Sequence, residues 1–194
     1  MRTYDSSTVL LVVDMQNDFA DPKGSLYVRG GEQVLPLANA EISRALEAGA
    51  SVVYTQDWHP PSTPHFQKDG GIWPVHCVQG TWGAELHPDL EVTGEVVRKG
   101  EDGRDGYSGF SARDTVSGDV AATRLGSVLR AAGAERLVVM GLATDYCVVE
   151  TVLDARRQSY PVEVVREGIR AVDLQPGEGD RALERMREAG AELD

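Results

Sequence analysis

Cys147 lies in the run LVVMGLATDYCVVETVL, residues 137–153. The run opens as a short apolar strand over 137–140, breaks at Gly141 and resumes with helical spacing, Val148 over Val152 and Val149 over Leu153. Asp145 is the expected N-cap of that helix. A cysteine in the first helical turn meets unpaired backbone N–H groups and the positive end of the helix dipole. Both favour a thiolate, and the same N–H groups can hold an oxyanion. A free cysteine is most often a small buried hydrophobe, so Cys147 needs partners before it reads as a nucleophile. Asp14 and Lys99 supply them. A carboxylate can take the thiol proton, and an ammonium between the two groups fixes the carboxylate and favours the thiolate. Taken singly, Asp14 reads as a strand-end cap and Lys99 as a solvated lysine. Their shared position at strand ends is what favours chemistry.

A second set of residues has metal-ligand spacing. Asp57, His59, His65 and His76 follow the pattern D-x-H-x5-H-x10-H. One carboxylate and three imidazoles, with no thiolate, suit a divalent transition metal; Zn, Mn and Fe(II) all accept such ligands. The fourth histidine, His87, falls outside the pattern and is expected on the surface or behind the ligands. Cys77, beside His76, is expected to pack. Phe19, Trp73 and Tyr107 could wall a flat ring, although ordinary core packing explains any one of them alone.

The elements that must position these groups alternate. Apolar runs at 8–13, 51–55, 95–98, 137–140 and 162–165 read as strands, and the last few residues as a further edge strand. Helical periodicity covers 33–48, 119–132 and 178–189, besides the helix that begins near Cys147. The segments 15–31 and 100–117 are glycine-rich and read as loops, the first with a possible turn of helix. Residues 58–94 hold five of the nine prolines, all four histidines and all three tryptophans, which reads as one folded excursion. Alternating strands and helices give an α/β fold, a parallel sheet with helices on both faces. Ligands of such sheets bind outside the carboxyl ends of the strands. Asp14, Asp57, Lys99 and Cys147 each follow a strand and would share that edge.

Length and composition narrow the function. The 194 residues suit one domain, 1–194, with the excursion at about 58–94 as its metal-binding decoration. A formal net charge of −12, spread along the chain, argues against nucleic acid or an anionic membrane surface as partner. No apolar run approaches the ~20 residues of a membrane span. The N-terminal stretch reads as a first strand, not a signal sequence. Two cysteines make no disulfide framework and fit a reducing cytoplasm. No stripe stands out as an interface, and a homo-oligomer stays open.

DMQNDF at 14–19, TQDWHP at 55–60, WPVHC at 73–77, Lys99 and GLATDYCV at 141–148 resemble the nicotinamidase/pyrazinamidase branch of the isochorismatase-like cysteine hydrolases. The match runs from about 9 to 165 with the blocks in family order. The resemblance implies a three-layer α/β/α fold whose six-stranded, mostly parallel sheet has the order 3-2-1-4-5-6. It implies Asp14, Lys99 and Cys147 as the catalytic triad and Asp57, His59, His65 and His76 as ligands of one metal, with no organic cofactor. It also implies a cis peptide at Leu142–Ala143, an oxyanion site at the N–H groups of Ala143 and Cys147, and a ring flanked by Phe19, Trp73 and Tyr107. The implied activity is hydrolysis of nicotinamide, with pyrazinamide as a possible second substrate, through a cysteine thioester in NAD salvage. Two alternatives remain at this point: an amidohydrolase for another small amide or ureido compound, and a pyridine-binding protein without turnover. Isochorismate cleavage is disfavoured, because that branch lacks the nucleophilic cysteine.

Overall fold

The apolar run at 8–13 becomes the strand β1 (Thr8–Val13), buried along its whole length. Its side chains alternate between two apolar clusters. Val9, Leu11 and Val13 pack with Leu125, Leu129, Val148 and Val152; Leu10 and Val12 pack with Leu35, Ile42 and Met140. Burying each such side chain contributes about 1.5–3 kcal/mol, and a strand covered on both faces therefore reads as an unbroken apolar run.

The computed structural model describes residues 2–104, 106–114 and 117–194. Around β1 stand β2 (Ser51–Asp57), β3 (Glu95–Lys99), β6 (Arg136–Leu142), β7 (Val162–Arg170) and β8 (Glu192–Leu193). They form a six-stranded sheet in the order β3-β2-β1-β6-β7-β8, every neighbouring pair parallel. Two short strands, β4 (Ser111–Arg113) and β5 (Val120–Ala122), form a separate antiparallel hairpin. With the hairpin left out of the count, the order is the 3-2-1-4-5-6 that the resemblance implies. Helices α1 (Asn17–Ala20) and α2 (Val34–Glu47) serve the cluster on one face. Helices α3 (Leu125–Ala131), α4 (Val149–Arg157) and α5 (Glu178–Glu188) serve the other. Among the described residues no helix is long and apolar enough to cross a membrane.

Four expectations need correction. The helix expected over 119–132 begins only at Leu125, because residues 120–122 pair with 111–113. Thr123 marks the switch: its hydroxyl donates to the Gly109 carbonyl at 2.5 Å and accepts from Leu125 N–H at 3.1 Å. The strand expected over 162–165 continues to Arg170, past a register shift between Val139 and Gly141 on β6. Asp145 is not an N-cap. The turn Thr144–Val148 is π-helical, with Val148 N–H reaching back to the Ala143 carbonyl at 3.0 Å. The Asp145 carboxylate instead accepts from the backbone of Val172 and Asp173, at 3.0 and 2.8 Å. Finally, His87 lies outside the histidine cluster as expected, but it is not on the surface, one of the two places expected for it. It is buried, with Nε2 3.8 Å from Asp21.

The excursion after β2 is held by side chains from the turn after β1. Gln16 Nε2 donates to the carbonyls of Asp57 and Ala84, and Asn17 Nδ2 to that of Trp82. Two single 3-10 turns, Gln67–Asp69 and Trp82–Ala84, are its only helical pieces among the described residues.

Candidate active site

The carboxyl ends of β1, β2, β3 and β6 meet at one edge of the sheet. Asp14 follows β1 with φ of 47°, a left-handed turn that aspartate tolerates better than most residues. The neighbouring strand must come close there. A Cβ on Gly141 would sit 2.1 Å from the Val13 carbonyl oxygen, so only glycine fits. Lys99 ends β3, fully buried, and its ammonium reaches back across β2. It pairs with Asp14 Oδ2 at 2.8 Å, with Asp57 Oδ1, and with the Gly106 carbonyl at 2.8 Å. Cys147 Sγ lies 3.4 Å from the same ammonium. Asp14, Lys99 and Cys147 are thus brought together, and Asp57 joins them.

Electrostatics here follow burial. Burial raises the Asp14 carboxyl above its usual range, against the pull of Lys99. The same burial would raise Asp57, but Lys99 and His59 outweigh it and hold that carboxyl well below its usual range. Burial would release the Lys99 proton, yet Asp14 and Asp57 keep it charged. Burial also lifts the Cys147 thiol well above its usual value, with Lys99 opposing. The helix-end argument for a ready thiolate is therefore overruled by desolvation. The thiol needs a base, and the raised Asp14 is placed to be one. Thr55 steadies that base by donating to Asp14 Oδ1 at 2.7 Å.

His59, His65 and His76 converge beside this group, each offering a ring nitrogen within 4.8 Å of the others, all three buried. The His59 and His65 rings stack at 4.8 Å. His76 Nδ1 lies 2.7 Å from the Pro74 carbonyl, which assigns the proton to Nδ1 and leaves Nε2 as a lone-pair donor. Burial pushes His76 down to about 4, so the ring is neutral. Both nitrogens of His59 are buried without a hydrogen-bond partner. Unpaired buried imidazole nitrogens are costly, and a cation held among the three rings is what would satisfy those of His59. Asp57 Oδ2 stands 3.7 Å from His59 Nε2, at the margin of the set. One carboxylate thus faces both centres.

A small cavity opens on both. Phe19, Trp73, Tyr107 and Tyr146 line it together with Asp57, His65, His76, Ala143 and Cys147. Trp73 Nε1 donates to the Tyr107 hydroxyl at 2.8 Å, and Tyr146 packs edge-on to Trp73 at 4.8 Å. The peptide Leu142–Ala143 is cis, as the resemblance implies. Cys77 is buried and packs, its thiol 3.9 Å from the Gly83 carbonyl.

Sequence reasoning missed Thr55 and Tyr146. Thr55 carried a signal: it stands two residues before Asp57 on β2 and so faces the same side. Tyr146 was visible only as a neighbour of Cys147. Leu26, Val28 and Val172 also line the cavity and gave no signal, because they arrive from loops.

A parallel α/β sheet with a buried Cys–Lys–Asp group and a histidine cluster at its carboxyl edge defines a class of hydrolase folds. The chain belongs to the isochorismatase family, whose domain profile matches residues 8–193. It is 39% identical to the nicotinamidase of Escherichia coli, over 95% of this chain and 92% of that protein. The pyrazinamidase of Pyrococcus horikoshii, solved in complex with zinc, superposes with a TM-score of 0.86 at 37% identity, covering 97% of this chain and 98% of that one. PnC1 from L. infantum, solved in complex with nicotinate, superposes with a TM-score of 0.89 at 37% identity, covering 100% and 95%.

Proposed function

We propose that the chain is a metal-dependent nicotinamidase, hydrolysing nicotinamide to nicotinate and ammonia through a thioester on Cys147. One observation carries this reading: Cys147, His65 and His76 face the same small aromatic-walled cavity, so a single flat molecule can meet both centres. The names of the relatives support the choice of substrate. A divalent metal held by Asp57, His59, His65 and His76 would supply an anchor for the pyridine nitrogen.

The rest falls to the chain's own groups. Phe19, Trp73 and Tyr107 flank the ring and present the carboxamide to Cys147. Asp14 takes the thiol proton, and the sulfur adds to the carboxamide carbon. The oxyanion is held by the N–H groups of Ala143 and Cys147. Collapse breaks the C–N bond, and Asp14 protonates the departing ammonia. Asp14 next takes a proton from water, whose oxygen adds to the thioester; the C–S bond breaks, nicotinate leaves, and Asp14 returns the proton to the Cys147 sulfur. Lys99 keeps Asp14 in place and steadies the negative charge throughout.

The test is ammonia release from nicotinamide by the purified protein, before and after chelation. Release that chelation abolishes, and that Zn, Mn or Fe(II) restores, is the expected result. No release from the metal-loaded, folded protein overturns the assignment.

A further inference from the structure

Asp18 is buried, and the mechanism above does not use it. It belongs to the DMQNDF stretch, four residues after the candidate base. Among the described residues it forms no ion pair. Its carboxylate is occupied by backbone: Oδ2 accepts from Cys77 N–H at 2.7 Å and Oδ1 from Ser25 N–H at 2.9 Å. Gly83 packs directly on it, since a Cβ there would fall 2.1 Å from Oδ2.

The peptide it grips sits between two of the histidines. The N–H that Asp18 accepts belongs to the His76–Cys77 bond. The carbonyl of the same Cys77 accepts from His59 N–H at 2.9 Å. Cys77 has φ of 45°, a left-handed conformation that is unfavourable for a non-glycine residue and needs an external hold. A charge-assisted hydrogen bond to a buried carboxylate is such a hold. From Asp18, one bond reaches Cys77, one covalent step reaches His76, and one further hydrogen bond reaches His59.

We propose that Asp18 is a positioning residue for the metal centre, setting His59 and His76 through the Cys77 peptide. The inference rests on the metal-dependent reading above. Asp18 touches neither metal nor substrate. Its effect is felt in how well the histidine nitrogens are aimed.

The test is cobalt(II) binding to Asp18→Asn, read by competition with a chromophoric chelator and by the visible absorption of the bound ion. Asparagine keeps the size but must offer an NH2 to one of two backbone donors, so one hold is lost. Groups that orient metal ligands from behind typically change affinity 10–100-fold. We expect cobalt(II) to bind at least about tenfold more weakly than in the unaltered chain, with a changed spectrum, at a temperature where both proteins are folded. Gly83→Ala, which keeps the carboxylate and displaces it, shifts affinity in the same direction and serves if the asparagine variant does not fold. Folded variants that bind cobalt(II) within twofold of the unaltered chain, with its spectrum, overturn the inference alone. An unaltered chain that takes up no cobalt(II), zinc or manganese overturns the metal-dependent reading and this inference with it.

Discussion

The two buried polar groups at the sheet edge differ in how completely they satisfy themselves. Around Lys99 every charge has a partner: one ammonium meets two carboxylates, a carbonyl and a thiol. Its charges are paired within the chain, and removing its cation would strand two buried carboxylates, a change that typically costs about 3–5 kcal/mol. The histidine cluster is the opposite. The His59 and His65 rings stack on each other, Phe66 meets His59 edge-on and Trp73 lies tilted to His65, and both nitrogens of His59 have no hydrogen-bond partner. The first group carries its own cation on the chain. On the proposed reading the second takes its cation from outside. Asp57 stands between them, with one oxygen toward each.

The proposed function gives chemistry to the lysine group and binding to the histidines, and mutations can break that division. The largest effect belongs to Cys147→Ala. Ammonia release should fall at least about a thousandfold, while metal content and nicotinamide binding by calorimetry stay near those of the unaltered chain. A variant that also lost its metal would show the two groups to be one. His76→Ala should do the reverse. Metal affinity should weaken by more than the roughly 10–100-fold typical of losing a group behind the ligands, with added metal restoring part of the rate; a chelator titration measures this. Unchanged affinity would remove His76 from the ligand set.

The smallest effect sharpens the lysine side. Thr55→Val removes a donor to the Asp14 carboxylate, so the charged form loses support and the acid becomes harder to ionise. The acid limb of the kcat/KM profile should then move to higher pH, by up to about one unit for one hydrogen bond. Above that limb the rate should change only a few-fold. An unmoved limb would mean that protonation of Asp14 does not limit the reaction.

The layers and the edge were legible in the chain alone. Strands buried on both faces read as unbroken apolar runs because they have no polar side to show, and the alternation with helices follows from the need to cover them. The sequence also placed Asp14, Asp57, Lys99 and Cys147 at strand ends, because a chemical residue after an apolar run is a local pattern. Asp57, His59, His65 and His76 were legible for the same reason, as spacing within one excursion. Some boundaries were less legible. Residues 120–122 look helical in isolation and become strand only because 111–113 lie beside them.

What these groups meet was set by packing. That Lys99 joins Asp14 to Asp57 depends on three strands lying in register, which no local pattern records. The helix end reads as a thiolate site for Cys147, whereas burial lifts its thiol, and burial depends on everything packed around it. The grip of Asp18 on Cys77 joins residues 59 apart in the chain. Local periodicity reports which face of an element is buried. Which charge finds which partner inside is set by how the elements pack, and that is where this protein's chemistry resides.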